Sequence, residues 1–358
     1  MADRKREPAA RDVPSRPPTI YDVAAAAGVA ASTVSRAFSR PGRVNAATAE
    51  RIRQVAADLG YRMNPLASAL PTGRTSLLAL VVSDVTNPVY AEIIRGAEAA
   101  AAEAGLVVLL LDAHESDRRE RDGLERALPI VEGVILAGTR MSDSAIRMTA
   151  KQRPTVVLNR QVADVPSLVQ DNALGMRLVV RHLAEHDHRA LTYVAGPEAS
   201  WADGMRWRRL REAAAEAGLR VQRTGPFPPT IAGGQEAATA LGPEPPTAVV
   251  AYNDQVAIGL MLALQAAGHS VPEEISVVGH DNILPAQLVT PRLTTVAAPL
   301  RVQGRDAVNA VVAARAGAPS RTGPGVPLPV RLVVRDSTAR RRHPLSARPA
   351  RTATTDAR

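Results

Sequence analysis

The chain has 358 residues, 46% hydrophobic and only 3% aromatic, so it can bury more than one core and must build them from Leu, Val, Ile and Ala. It holds no cysteine, which excludes disulfides, thiolate nucleophiles and cysteine-type zinc sites. The net charge of +9 is uneven: residues 1–75 carry 12 Arg/Lys against 6 Asp/Glu, residues 331–358 carry 8 against 2, and the middle carries 24 against 27. Basic ends on a mildly acidic body point to a polyanion at one or both ends.

In chain order, residues 1–18 are charged, proline-containing and aperiodic, and read as a disordered extension. They lack the apolar segment of a secretory leader. No run reaches the roughly 18 apolar residues of a membrane helix. The expectation is a soluble, cytoplasmic protein.

Residues 19–63 read as helices without a strand. Thr19 caps the first, with Asp22 three residues on as a capping-box partner, and Gly28 ends it. A second helix runs from about Ala31 to Phe38, and Pro41-Gly42 breaks the chain. Asn45 caps a third, whose Ile52, Val55, Ala56 and Leu59 follow helical spacing up to Gly60. Asn64-Pro65 then opens a short segment ending at Leu70, before Pro71 and Gly73, and residues 64–75 read as a linker. Two helices joined by a tight glycine turn can set the second into a major groove. Thr33, Ser35 and Arg36 offer donors to phosphates, Ala31 and Ser32 occupy the leading turn, and Ala30 supplies no side-chain cap.

From 76 onward the pattern alternates. Apolar runs at Leu77–Val82, Leu106–Leu111, Val134–Ala137, Val156–Leu158, Leu191–Val194, Val249–Ala251, Ile275–Val278 and Val330–Val334 read as buried strands. Ala/Glu/Arg-rich stretches such as Ala91–Ala104, Met176–Glu185, Gly204–Ala217 and Gln255–Ala267 read as helices. This is the pattern of parallel sheets covered on both faces, and about 260 residues is enough for two lobes. Residues 338–358 read as a disordered basic tail.

Catalytic constellations are missing: the sequence has no G-x-x-x-x-G-K-[ST], G-x-G-x-x-G or G-x-S-x-G. His182-Leu-Ala-Glu-His186-Asp-His188 puts two histidines on one helix face without a further ligand set, so a structural role is expected. Polar residues instead cluster just after strands, where open α/β sheets bind ligands: Asp84 and Asn87 with Tyr90, Asn159-Arg160, Asp171, Asn253-Asp254 and Asp281-Asn282. Carboxylates and amides suit a polyhydroxylated ligand, and Tyr90 or Trp201 could cover a sugar's apolar face. Each is equally a common turn former.

The stretch TIYDVAAAAGVAASTVSRAFSRPGRVNAATAERIRQVAADLGYRMNPLASAL closely resembles the headpiece of the LacI/GalR family of bacterial repressors. The resemblance continues through TGRTSLLALVVSDVTNPVYAEIIRGAEAAA, VEGVILAG, RPTVVLNR, YVAGPEAS, TAVVAYND, SVVGHDN and RLVVRDST, covering about 19–337 in order. It implies an α/β protein: an N-terminal all-α helix-turn-helix headpiece, then a two-lobed, periplasmic-binding-protein-like body of doubly wound parallel sheets. The lobes would take about 76–172 with 298–320, and 173–297 with 321–337.

The resemblance further implies a homodimer that reads a near-palindromic double-stranded DNA operator. Ala31 and Ser32 would select bases, with Thr19, Tyr21, Thr33, Ser35, Arg36 and Asn45 as further DNA contacts. Residues 64–75 would be the family's hinge and linker, with Asn64–Leu70 as the hinge helix: Leu70 would wedge into the minor groove and Ala67 would face its dimer mate, while Pro71 departs from the family pattern. The implied effector contacts are Asn87, Tyr90, Asn159, Asp171, Arg206, Asn253, Asp254 and Asp281, around a small molecule of carbohydrate type. No cofactor, metal, membrane partner or enzymatic activity is expected. A solute-binding module and an enzyme on the same scaffold are the alternatives; the headpiece argues against the first and the missing motifs against the second.

Overall fold

The computed structural model describes residues 16–62, 75–243, 245–318 and 327–341. The expected hinge helix, with Ala67 and Leu70, lies outside the described residues, as do residues 1–15 and 342–358. The chain divides into two compact units, Met1–Thr75 and Ser76–Arg358.

Among its described residues the first unit has helices α1 (Ile20–Ala27), α2 (Ala31–Ser39) and α3 (Ala46–Asp58), with a 3-10 turn at Pro41–Arg43. Gly28 ends α1 in the left-handed region, at φ 65°. That conformation suits glycine because it has no Cβ, and it lets the Val29 N–H reach back to the Ala24 carbonyl at 3.0 Å. The core is mostly alanine: Val23, Ala24, Ala27, Val34, Ala37, Ala49, Ile52 and Ala56 are buried, flanked by Phe38 and Tyr61. Small side chains let the three helices approach closely, and Ile52 is the largest group fully inside.

The second unit contains two sheets. The first takes β1 (Leu77–Val82), β2 (Val107–Asp112), β3 (Gly133–Ala137), β4 (Thr155–Leu158) and β5 (Ser167–Leu168), all parallel, in the order β2-β1-β3-β4-β5. Helices α4 (Val89–Glu103), α5 (Asp117–Ala127) and α6 (Asp143–Gln152) connect them. The second sheet takes β6 (Ala190–Val194), β7 (Arg220–Thr224), β8 (Ala248–Ala251), β9 (Ser276–His280), β10 (Thr294–Ala297) and β11 (Arg331–Val333), in the order β11-β10-β9-β8-β6-β7. Only β11 runs antiparallel. Its helices are α7 (Asn172–Glu185), α8 (Trp201–Glu216), α9 (Ile231–Leu241) and α10 (Asp254–Ala266). Side-chain caps from Ser116, Ser142, Asp171, Ser200, Thr230 and Asn253 start six of the helices.

The chain passes between lobes after β5, after β10 and after α11 (Leu300–Arg315). The last of these helices returns to the first lobe and packs on α4. Glycines make that contact possible: a Cβ on Gly96 would lie 1.9 Å from the Arg301 carbonyl oxygen, and one on Gly304 2.0 Å from that of Ile93. The two helix backbones touch where any side chain would hold them apart.

Three strands differ from the sequence reading. β5 is only two residues long, β7 (Arg-Val-Gln-Arg-Thr) is an exposed sheet edge, and β10 opens with two threonines. Both termini also differ. Arg16, expected in the disordered extension, pairs with Asp22 at 2.9 Å. Thr338–Arg341, expected in the disordered tail, is strapped to the second lobe. There the Ala339 N–H donates to Ser276 Oγ at 3.0 Å, the Arg341 N–H to the His186 carbonyl at 2.8 Å, and Arg340 pairs with Asp187 at 2.6 Å.

The histidine cluster anchors this strap. His182 Nε2 lies 2.9 Å from Thr338 Oγ1, while His188 lies within hydrogen-bond reach of Thr247, Ser276 and the Ala339 carbonyl. Burial, aided by the neighbouring His186, pushes His182 down to about 4, and burial also lowers His188. Unfolding lets these rings return toward 6.5 and take up protons. Stability that is full above that pH is therefore lost progressively as pH falls toward 4. The thermal midpoint should drop across this window, and His182→Gln should flatten the drop. An equal slope in the variant would remove His182 as its cause.

Candidate nucleic-acid interface and candidate ligand cleft

In the first unit, α2 turns Val34 and Ala37 into the core and leaves Ser32 and Arg36, one helical turn apart, exposed. Ala31, Thr33 and Ser35 are half-buried along the helix. Arg36, Arg40 and Arg43 have no carboxylate partner among the described residues. Residues 16–62 hold seven arginines against three acids, so the unit is a compact cation. Tyr21 is an aromatic ring left 73% exposed on α1, which no packing requirement explains.

Thr19 stands at the start of α1, where its N–H and hydroxyl both donate to the Asp22 carboxylate at 2.7 Å. Those bonds, then Arg16, hold Asp22 below the usual carboxylate range. Asn45 caps α3 by accepting from the Ala47 N–H at 3.0 Å. The start of α2 differs, because Ala30 makes no side-chain cap. Ala30→Ser should therefore stabilise this helix by about 1 kcal/mol. The check is amide exchange in α2 of the full-length protein, which should slow by roughly fivefold. Unchanged or faster exchange would mean the backbone at Ala30 cannot accept the cap.

The second unit carries a cleft at the C-terminal ends of strands from both sheets, where doubly wound folds bind ligands. Its inner chamber, about 50 Å³, is bordered by Asn87, Tyr90, Asn159, Arg206, Asn253 and Asp281 of the expected residues. Arg140, Ser200, Trp201 and Tyr252 border it as well. An outer chamber of about 560 Å³ shares Arg140, Arg160, Ser200 and Trp201 with it. The inner space has room for only a few waters, so a sugar ring enters only when the lobes part or side chains swing.

Each bordering side chain has a structural reason for its position. Asn87 accepts from the Val89 N–H at 3.2 Å and so starts α4. Tyr90, in the first turn of that helix, bonds Ser83 Oγ at 2.7 Å; Gly138 keeps its position because a Cβ there would lie 2.3 Å from the phenol oxygen. Asn159 follows β4 in the left-handed region and accepts from Gln303 Nε2 of α11 at 2.8 Å. Asn253 caps α10, and its amide N–H donates to the Pro229 carbonyl.

Arg206 is the most constrained. Its side chain is 6% exposed and reaches from α8 to donate to the Tyr252 carbonyl at 2.6 Å and to Asp281 at 3.3 Å. The guanidinium carbon lies 5.2 Å from the Tyr252 ring centre, and Nε is buried without a partner. Burial pushes Asp281 up to about 6, although Arg206 opposes the shift.

Asp171 and Asp254, expected in the site, do not border it. Asp171 caps α7 by accepting from the Leu174 N–H at 2.8 Å. Asp254 is wholly buried beneath the cleft, where it accepts from Thr295 Oγ1 at 2.5 Å and the Ile283 N–H at 2.8 Å. Burial, then the charge of Asp281, pushes its carboxyl well up. Both carboxylates shape the loops that carry the site, and Asp254 spends both of its oxygens there. Arg140, Ser200 and Tyr252 are border residues the sequence reading missed, and Arg140 is the charged one. It follows β3, as Asn159 follows β4, and donates to Glu115 at 2.7 Å through Nε.

Residues 19–64 match the model of the bacterial regulatory proteins of the lacI family, and residues 180–338 match a periplasmic binding protein-like domain. Among curated proteins, the HTH-type transcriptional repressor CytR of Escherichia coli is 31% identical over 318 residues, covering 86% of this chain and 90% of that protein. The lac repressor dimer bound to operator and the anti-inducer ONPF is 26% identical with a TM-score of 0.79, over 90% of this chain and 100% of that one. A complex of the transcriptional regulator CelR with cellobiose is 30% identical with a TM-score of 0.64, over 89% of this chain and 99% of that one.

Proposed function

The chain belongs to the LacI family of bacterial regulatory proteins, and on that footing we propose that it is a transcriptional repressor whose grip on a near-palindromic operator is set by a small effector. The carrying observation is that one chain holds both a helix-turn-helix with exposed Ser32 and Arg36 and a two-lobed cleft centred on Arg206.

Two copies bind, each placing α2 in a major groove of one half-site. Exposed apolar side chains on the second lobe, Leu284 at 67% and Leu288 at 73%, support a second copy as partner. Ala31 and Ser32 read bases: a methyl can contact thymine and a hydroxyl makes one hydrogen bond. Thr33, Ser35 and Arg36, with Thr19, Tyr21 and Asn45, hold phosphates. The segment to Leu70 completes the interface in the minor groove, with Ala67 against its mate.

In the body, a sugar or sugar derivative occupies the cleft between Asn87, Tyr90, Asn159, Arg206, Asn253 and Asp281. Related regulators bound to such ligands support this reading, the cellobiose complex among them. Because the ligand touches both lobes, it binds their closed and open arrangements with different affinity. That difference is the coupling passed to the operator. The relatives are regulators, no catalytic motif is present, and no helix among the described residues is long and apolar enough to cross a membrane. We therefore assign a non-enzymatic role in the cytoplasm, where operator DNA is found.

Selection from random-sequence DNA at moderate salt should enrich a near-palindrome. Ser32→Ala should change the preferred base at one position per half-site, by about 1 kcal/mol or roughly fivefold. Thr33→Ala and Ser35→Ala should weaken binding evenly across sequences. If no palindrome is enriched, the repressor assignment fails. In the cleft, Arg206→Ala should abolish the rise in thermal midpoint caused by any sugar that stabilises the wild type. A rise that survives the substitution would exclude Arg206 from the site.

A further inference from the structure

The hydrogen-bonding inventory of the inner chamber is lopsided. A neutral sugar hydroxyl both donates and accepts, so a site for it offers both kinds of group. Here each amide oxygen on the border already accepts one bond: Asn87 Oδ1 from the Val89 N–H, Asn159 Oδ1 from Gln303 and Asn253 Oδ1 from the Val256 N–H. The single carboxylate on the border, Asp281, is engaged with Arg206. The hydroxyls of Ser200 and Tyr252 bond each other at 2.9 Å and can serve either way.

The buried border groups with no partner at all are donors. Asn87 and Asn159 keep their Nδ2 groups. Arg206 and Arg160 each have an Nε that is buried with no partner, and Arg206 as a whole is 5% exposed. Arg140 spends Nε and Nη2 on Glu115. Glu115 and Asp143, the counter-ions of Arg140 and Arg160, do not border the chamber, so three guanidiniums face it against one carboxylate. A buried N–H with no acceptor costs free energy until something accepts it. An anionic oxygen is the acceptor that gains most from such a setting.

We propose that the effector carries an anionic acceptor group, a carboxylate or phosphate on a sugar-sized molecule, held by Arg206 in the inner chamber and by Arg140 and Arg160, which border both chambers. The inference rests on the reading of this cleft as the effector site. The uncharged remainder of the ligand lies toward Trp201 and the wider outer chamber, where Asp117 and Glu198 disfavour a second anion.

The test is calorimetric titration of the full-length protein with matched probes: glucose, gluconate and glucose 6-phosphate, and galactose and galacturonate. At least one acid or phosphate should bind tenfold or more tightly than its neutral parent, and the phosphate arm separates the two sources of charge. Asn87→Asp keeps the shape and the Oδ1 acceptor while replacing the donor with a negative oxygen. It should weaken the anion at least tenfold more than it weakens a neutral sugar. Arg140→Gln should do the same; the isosteric aspartate covers the case in which that variant fails to fold.

Neutral sugars that bind as well as their acids, with Arg206→Ala abolishing the binding, would overturn the anionic assignment and leave the cleft as the effector site. An acid whose affinity ignores Asn87→Asp and Arg206→Ala together would remove the cleft reading itself. A panel in which no acid or phosphate binds would also count against the proposal.

Discussion

A guanidinium held out of water needs its charge answered locally, and the second unit is arranged around doing so for Arg206. Stripping water from such an ion costs several kcal/mol even after relaxation. The return comes from the Tyr252 carbonyl at the end of β8 and from Asp281 at the end of β9, so one side chain on α8 ties three elements together. Asp281 sits at φ 108°, a backbone conformation unusual for a residue with a Cβ. The buried Asp254 secures the segment that follows by accepting from the Ile283 N–H. Its other oxygen is bonded to Thr295 of β10, which leads to the crossover. The ion pair is thus less a source of stability than a fixture that sets where donors point.

The crossovers give that fixture leverage. Each lobe is assembled from separate stretches of chain, and α11 inserts into the first lobe between two strands of the second. Gln303 on this helix reaches Asn159 at the cleft border, at 2.8 Å. A ligand group that pulls on Asn159 therefore pulls on a helix joined directly to β10. Such mechanical continuity lets a small change in the chamber become a change in lobe angle.

Much of this was legible in the sequence, for a physical reason. A parallel sheet covered on both faces must be apolar on both, so β1 (LLALVV) and β8 (AVVA) appear as uninterrupted apolar runs, and β3 (GVILA) and β4 (TVVL) nearly so. β7 lies at an edge where Arg220, Gln222 and Arg223 face solvent, and it leaves no such mark. β10 begins with Thr294 and Thr295, fully buried because Thr338 and Asp254 satisfy their hydroxyls from 44 and 41 residues away. No local window contains those partners. The same distance effect hides Arg140, which gains its meaning from Glu115 and Tyr90. It also misled the reading of Asp171 and Asp254: an aspartate after a strand looks alike whether it faces a ligand or caps a helix.

The contact between α4 and α11 has a consequence for how the gene can drift. Every single-base change in a glycine codon that alters the residue adds at least a Cβ. At Gly96 and Gly304 that atom would sit about 2 Å from a backbone oxygen, which no rotamer change can relieve. Neither position has a neutral neighbour in sequence space, and no change at one makes room for a change at the other, since both backbones are already in touch. At the cleft border a substitution costs hydrogen bonds such as those of Asn87, Asn159 and Arg206, but it forces no pair of helix backbones apart. A lineage can therefore exchange one effector for another by altering the border while this helix pair stays fixed.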